Sequence, residues 1–212
     1  GQEFHGWGFT INDEIENLRA AQEHLKIVNL GATAIGTTVT AAPGYPELAV
    51  KNLAELTGID FKNSEDLIAA TSDCGAYMTL SSAIKGLAVK MTKVCNDIRL
   101  LASGPRCGLK EINLPQLQPG SSIMPGKVNP VAAEVANQAS FLAIGLDTTV
   151  MLAASAGQLE LNVMEPVITY DLYTQMKVMT NACDTLRKKL VEGVTANTER
   201  CKDYVMNSIG IV

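Results

Sequence analysis

From residue 64 to residue 103 the chain contains no proline, and Ile84, Leu87, Met91, Val94, Ile98 and Leu101 step along it by three or four. That spacing lays one apolar stripe along a helix, and a helix of this length gains stability mainly by packing the stripe against other helices. Ser64, followed by acidic residues at 65 and 66, supplies a helix start, and Gly104-Pro105 supplies a stop. The pattern recurs. Phe4, Ile11, Leu18 and Leu25 repeat every seven residues with Gly8, Ile15 and Gln22 between them, which predicts an amphipathic helix over about 2–28, weakest near Gly6 and Gly8. A Gly/Thr/Ala stretch from Gly31 to Thr40 then suits a loop where backbone packs closely. Further helices are expected at about 46–57 (closing at Gly58), 131–156, 167–192 and 197–207. No stretch sustains alternation at period two. The fold class is therefore all-α, an elongated bundle of long helices with Phe4, Trp7 and Phe9 assigned to its core.

Composition removes several function classes. With 47% hydrophobic residues over 212 positions the chain has ample material for a core, so it is not a disordered segment. Seventeen Lys and Arg against 22 Asp and Glu leave a formal charge of -5, which argues against a general nucleic-acid binder. Cys74, Cys95, Cys107, Cys183 and Cys201 are widely spaced without a C-x-x-C pair and read as free thiols. With His5 and His24 the only histidines, no metal site is expected. No apolar run approaches the ~18 residues of a membrane helix and no signal-peptide pattern is present, so no membrane is expected as a partner. The expectation is a cytoplasmic protein. Because residue 1 is Gly and the last residues are the apolar Ile209-Gly210-Ile211-Val212, the chain reads as a segment of a longer polypeptide.

Residues 104–130 hold five of the eight prolines and four glycines, and form the longest irregular stretch. Long ordered connections are often functional. This one ends in Gly120-Ser-Ser-Ile-Met-Pro-Gly-Lys-Val-Asn-Pro130. A phosphate loop is excluded, because Gly126-Lys127 falls one residue too far from Gly120 and Val128 stands where Ser or Thr is needed. Composition leaves two readings open. One is a plain surface loop with Met124 as packing. The other is an anion-binding lid in which Lys127 and Asn129 hold a carboxylate and Ser121 or Ser122 acts on it. Glu134, by position alone, is an ordinary first-turn carboxylate near the positive end of a helix.

The stretch from Gly120 to Pro130 resembles the signature of the aspartase/fumarase superfamily. Asn96-Asp-Ile-Arg-Leu-Leu-Ala-Ser-Gly-Pro-Arg106 resembles the helix end leading into that loop, and Asn29-Leu-Gly-Ala-Thr-Ala-Ile-Gly-Thr37 another block of the family. The resemblance runs over essentially all 212 residues and corresponds to a single central helical-bundle domain, without the family's N-terminal and C-terminal domains.

The resemblance implies reversible anti-elimination giving fumarate, with no cofactor and no metal. Ser121 would be the general base that removes the Cβ proton. Lys127 and Asn129 would grip the substrate carboxylate on which charge accumulates, with Ser122 binding substrate or supporting the loop. Gly120, Met124 and Pro125 complete the signature loop, and Glu134 matches the acidic residue that pairs with an active-site histidine. That histidine lies in a block preceding Gly1, and neither His5 nor His24 takes its place. Thr38 and Thr40 stand where the family usually has Gly and Asn. Glu111-Ile-Asn-Leu-Pro115, the block from Gly157 to Pro166, Thr195-Ala-Asn197 and the closing residues from Asn207 favour the aspartase branch, whose substrate is L-aspartate. Gly104-Pro-Arg-Cys107 leans towards fumarase, which takes L-malate. An inactive structural member of the same fold is the other alternative, against which the intact Ser121, Lys127 and Asn129 set speaks. The family's sites gather blocks from several subunits of a tetramer. The expectation is therefore homotetramer formation through the long helices and little activity from the segment alone.

Overall fold

The computed structural model of the protein describes residues 1–120, 123, 124 and 126–210. In chain order the elements are α1 (Gln2–His24), β1 (Ile27–Val28), α2 (Tyr45–Thr57), β2 (Lys62–Asn63), α3 (Leu67–Ser72), α4 (Gly75–Leu101), β3 (Ile112–Asn113), α5 (Val131–Ala154), α6 (Glu165–Lys189), a 3-10 turn at Val191–Gly193, β4 (Thr195–Ala196) and α7 (Thr198–Met206). The fold is helical, as the spacing predicts. The four strands are two residues each, pairing β1 with β2 in parallel and β3 with β4 antiparallel, and are too short to leave an alternating pattern.

Helix boundaries depart from the periodicity where a side chain or a strand competes for the backbone. The long helix expected from 64 to 103 is broken at Asp73, whose carboxylate accepts the Gly75 amide at 3.1 Å, so α3 and α4 are separate. Asp66 rather than Ser64 caps α3, accepting from the amides of Ile68 (2.9 Å) and Ala69 (3.0 Å). The first helix stops at His24 because the following backbone joins β2, with Lys62 N–H donating to Lys26 and Ser64 N–H to Val28, both at 2.9 Å. Phe9 is a correction: it is 64% exposed, while Phe4 and Trp7 stack at 4.6 Å on the half-buried side of α1.

The described residues form two compact units, one from Gly1–Leu87 with Ala143–Met176, the other from Ala88–Leu142 with Lys177–Val212. In the first, Cys74, Val150, Ala153, Ile168 and Leu172 make the core cluster. A polar layer interrupts it. Asp147 on α5 accepts from Ser81 Oγ at 2.7 Å and from Lys85 Nζ at 2.5 Å, and Gln175 Nε2 donates to Ser81 Oγ and to the Ala143 carbonyl. Asp171, one turn before Gln175, is 3% exposed, and burial pushes its carboxyl up from the ordinary aspartate range. Asn162 joins two helix ends, donating to the Ala153 and Ala154 carbonyls while accepting the Met164 amide. In the Gly/Thr/Ala stretch, a Cβ on Gly36 would lie 2.3 Å from the Ile68 Cα, so the close backbone approach expected there is present. Thr38 adopts φ +59, a conformation glycine takes freely and a β-branched residue rarely does.

The second unit buries Met91, Cys95 and Ile98 of α4, Ala132, Ala133 and Ala136 of α5, and Met179, Ala182, Leu186 and Leu190 of α6 and its end. Along α4 the fully buried line is Ile84, Ala88, Met91, Cys95 and Ile98, with Leu87, Val94 and Leu101 at its half-buried margin. Burial raises the Cys95 thiol to about 12.

Candidate active site

The irregular segment after α4 opens as a tight hairpin. Lys110 N–H donates to the Ser103 carbonyl at 2.8 Å, Glu111 N–H to Leu101 at 2.9 Å, and Leu109 N–H to Ser103 Oγ at 3.1 Å. Only glycine fits at 108, where a Cβ would stand 2.4 Å from the Ser103 carbonyl carbon. The chain then enters β3, paired with β4 through Ile112–Ala196 and Asn113–Thr195. Further along, Pro115 packs on Gly193, where a Cβ would approach Pro115 Cγ to 2.6 Å.

Of the residues singled out for chemistry, Ser121, Ser122 and Pro125 lie outside the described residues. Lys127 closes a turn, its amide donating to the Met124 carbonyl at 3.2 Å, with Gly126 at φ +80 in the third position. Gly120 lies against the far end of that turn, since a Cβ on it would meet the Lys127 carbonyl at 3.1 Å. The two ends of the signature loop are thus brought together. Among the described residues the Lys127 ammonium makes no ion pair, so it is a half-exposed cation without a carboxylate partner. Asn129 and Pro130 lead into α5, whose first turn carries Glu134 with its amide bonded to the Pro130 carbonyl at 3.0 Å. No side-chain bond links Lys127, Asn129 and Glu134 among the described residues.

Two small clefts flank the loop. One of about 160 Å³ has Ala102, Gly104, Lys110 and Leu114 on one wall and Gly126 and Val128 on the other. A shallower groove brings Leu114, Pro115 and Leu117 beside Asn129, Pro130 and the end of α6. The segment from Lys110 to Leu117 therefore borders both the turn that bears Lys127 and the start of α5. Among the described residues, no helix is long and apolar enough to cross a membrane, and no three His, Cys, Asp or Glu are grouped to hold a metal ion.

The sequence profile of the family described as lyase (Lyase_1) matches residues 1–145, the signature loop included. The chain belongs to this lyase family. The superfamily resemblance carried by residues 120–130 holds. Aspartate ammonia-lyases of Escherichia coli (strain K12), Corynebacterium glutamicum and Helicobacter pylori (strain ATCC 700392) are 58%, 55% and 53% identical over 212 residues, each match covering 100% of this chain. The chain spans 44%, 40% and 45% of those relatives' lengths. Among solved structures, a fumarate lyase:delta crystallin of Brucella melitensis superposes with a TM-score of 0.96 at 45% identity over 98% of this chain and 45% of that one. A class II fumarase of Schistosoma mansoni does so with 0.90 at 32% identity, over 97% of this chain and 46% of that one.

Sequence reasoning missed two arrangements. One is the polar layer around Asp147, which a lone aspartate inside the otherwise uncharged run from Phe141 to Ala154 announces. The other is the set of donors on α7 that holds the segment beside the loop; in the sequence Asn197 stands out as part of a family-like block and Cys201 as a free thiol, and neither announces this contact.

Proposed function

We propose that the chain is the central helical domain of an aspartate ammonia-lyase, releasing ammonia from L-aspartate to give fumarate. The observation that carries this reading is the level of identity: aspartate ammonia-lyases match the whole chain at 58%, against 32% for the class II fumarase. In the proposed reaction Ser121 removes the Cβ proton, and the electrons left behind build an aci-carboxylate dianion. Collapse of that dianion forms the Cα–Cβ double bond and expels the protonated α-ammonium group, which takes the C–N electron pair and leaves as ammonia. The difficult step is accumulation of charge on the β-carboxylate, so the groups aimed at it supply the largest catalytic contribution. Lys127, which makes no ion pair among the described residues, and Asn129, two residues on, are assigned that grip, with Ser122 holding substrate. Glu134 is assigned the pairing with the family's active-site histidine. A serine hydroxyl is a poor base unless its alkoxide is favoured, which the Lys127 cation promotes. The proposed assembly is a homotetramer built on the long helices, and the segment alone is expected to turn over little substrate.

The test is a graft. The chain replaces the matching segment of the Escherichia coli aspartate ammonia-lyase, and the product is offered L-aspartate and L-malate separately, with fumarate followed by ultraviolet absorbance. Fumarate from aspartate is the expected result. Fumarate from malate alone would replace this reading with fumarase.

A further inference from the structure

Three consecutive carbonyls at the base of the signature segment are held from a single helix. Leu109 O accepts from Tyr204 Oη at 3.1 Å and from Arg200 Nε at 3.4 Å. Lys110 O accepts from Asn197 Nδ2 at 3.1 Å. Glu111 O accepts from Asn197 N–H at 2.8 Å and from Cys201 Sγ at 3.5 Å. Positions 197, 200, 201 and 204 recur at helical spacing, so one face of α7 with its cap presents all the donors. The Arg200 guanidinium lies 4.5 Å over the Tyr204 ring, which fixes the two side chains against each other.

The segment so held, which leads into β3, is under backbone strain at Lys110, whose φ is +53. A non-glycine residue stays in that region only while its surroundings over-determine it. The same segment borders Gly126 and Val128 across one cleft and Asn129 across the other. If the carbonyls were released, Lys110 would relax towards ordinary φ and carry this wall with it, shifting the turn that bears Lys127.

We infer that α7 is a positioning element for the proposed lyase site: Asn197 and Tyr204 hold the Lys110 and Leu109 carbonyls, and so set where Lys127 and Asn129 meet the substrate carboxylate. The inference rests on the lyase reading above, and neither residue touches substrate.

Two substitutions remove a donor while keeping the helix. Asn197→Asp still caps α7, since a carboxylate accepts the Arg200 amide equally well, but has nothing to donate to Lys110 O. Tyr204→Phe keeps the ring under Arg200 and loses only the hydroxyl. In the grafted enzyme each is expected to lower kcat/KM roughly three- to tenfold, mostly through a higher KM, with the thermal midpoint nearly unchanged. Amides of residues 126–129 should exchange faster with solvent in both variants, a readout independent of turnover. A fall in thermal midpoint with unaltered KM and unaltered loop exchange would reduce α7 to a structural prop and overturn the inference. Turnover of malate instead of aspartate, with the same variant losses, would retire the substrate assignment and leave the positioning role standing.

Discussion

The stretch between Gly104 and Pro130 is built in two manners. Its first half is tied down between Leu109 and Pro115: hairpin amides to Ser103 and Leu101, strand pairing to β4, carbonyls to α7, and Pro115 seated on Gly193. In the second half the bonds described for residues 116–128 reach only two or three positions, as from Gln116 to Gln118 and from Lys127 to Met124. The first half contains none of the residues assigned to chemistry; the second contains most of them. A frame made rigid by backbone bonding lets an adjacent loop carry reactive groups without having to define its own position.

Substitutions on the two halves should therefore fail in different ways. Lys127→Ala in the grafted enzyme is expected to lower kcat/KM by about 10²–10³-fold while the thermal midpoint stays put, the loss typical of a group that stabilises developing charge. Unchanged turnover would remove Lys127 from the site. Gly108→Ala should do the reverse. Its Cβ meets backbone rather than a movable side chain, so roughly 1–3 kcal/mol of stability is expected to go, seen as a lowered denaturation midpoint. If the midpoint holds, the hairpin is not the rigid half. Gly126→Ala meets open space but must adopt φ +80, so a cost of about 1–2 kcal/mol is expected, with a rise in KM as the turn readjusts. A large stability loss there would mean that the signature turn, too, is part of the frame.

The smallest effect lies outside both halves and serves as a control. Asp171 has its carboxyl raised by burial, so the native state binds a proton more tightly than the unfolded chain does. Stability from this residue is fully present below the ordinary aspartate range and is lost as pH rises through the elevated native value. Asp171→Asn should therefore raise the thermal midpoint at neutral pH and have little effect near pH 4. A gain of equal size at both pH values would show that the carboxylate is not the cause.

Much of this molecule is legible from its residues, and the illegible parts have physical reasons. Helices α2, α5, α6 and α7 begin and end within three residues of their periodic limits, because caps and prolines act locally. The break between α3 and α4 escapes that reading, since Asp73 reaches two residues ahead to cap a helix inside an unbroken Ala/Leu-rich run. Strands β1 to β4 escape it because pairing over two residues is decided by neighbours distant in sequence. For the site, Lys127 and Asn129 stand out as a cation and an amide among glycines and prolines. The donors on α7 do not, because Arg200 and Tyr204 look like any exposed helix face until the carbonyls they meet are known.

Those carbonyls bring a consequence for the order of events on the ribosome. The side-chain bonds from α7 to the strand span 87, 91 and 95 residues. At usual translation speeds of about 5–20 residues per second, the strand waits on the order of five to twenty seconds for its partner. During that interval α5 and α6 are already being made, while the carbonyls of Leu109 and Lys110 still lack their α7 side-chain donors. Its final geometry is thus a late event in biogenesis, reached only when the helix that holds its base has been synthesised.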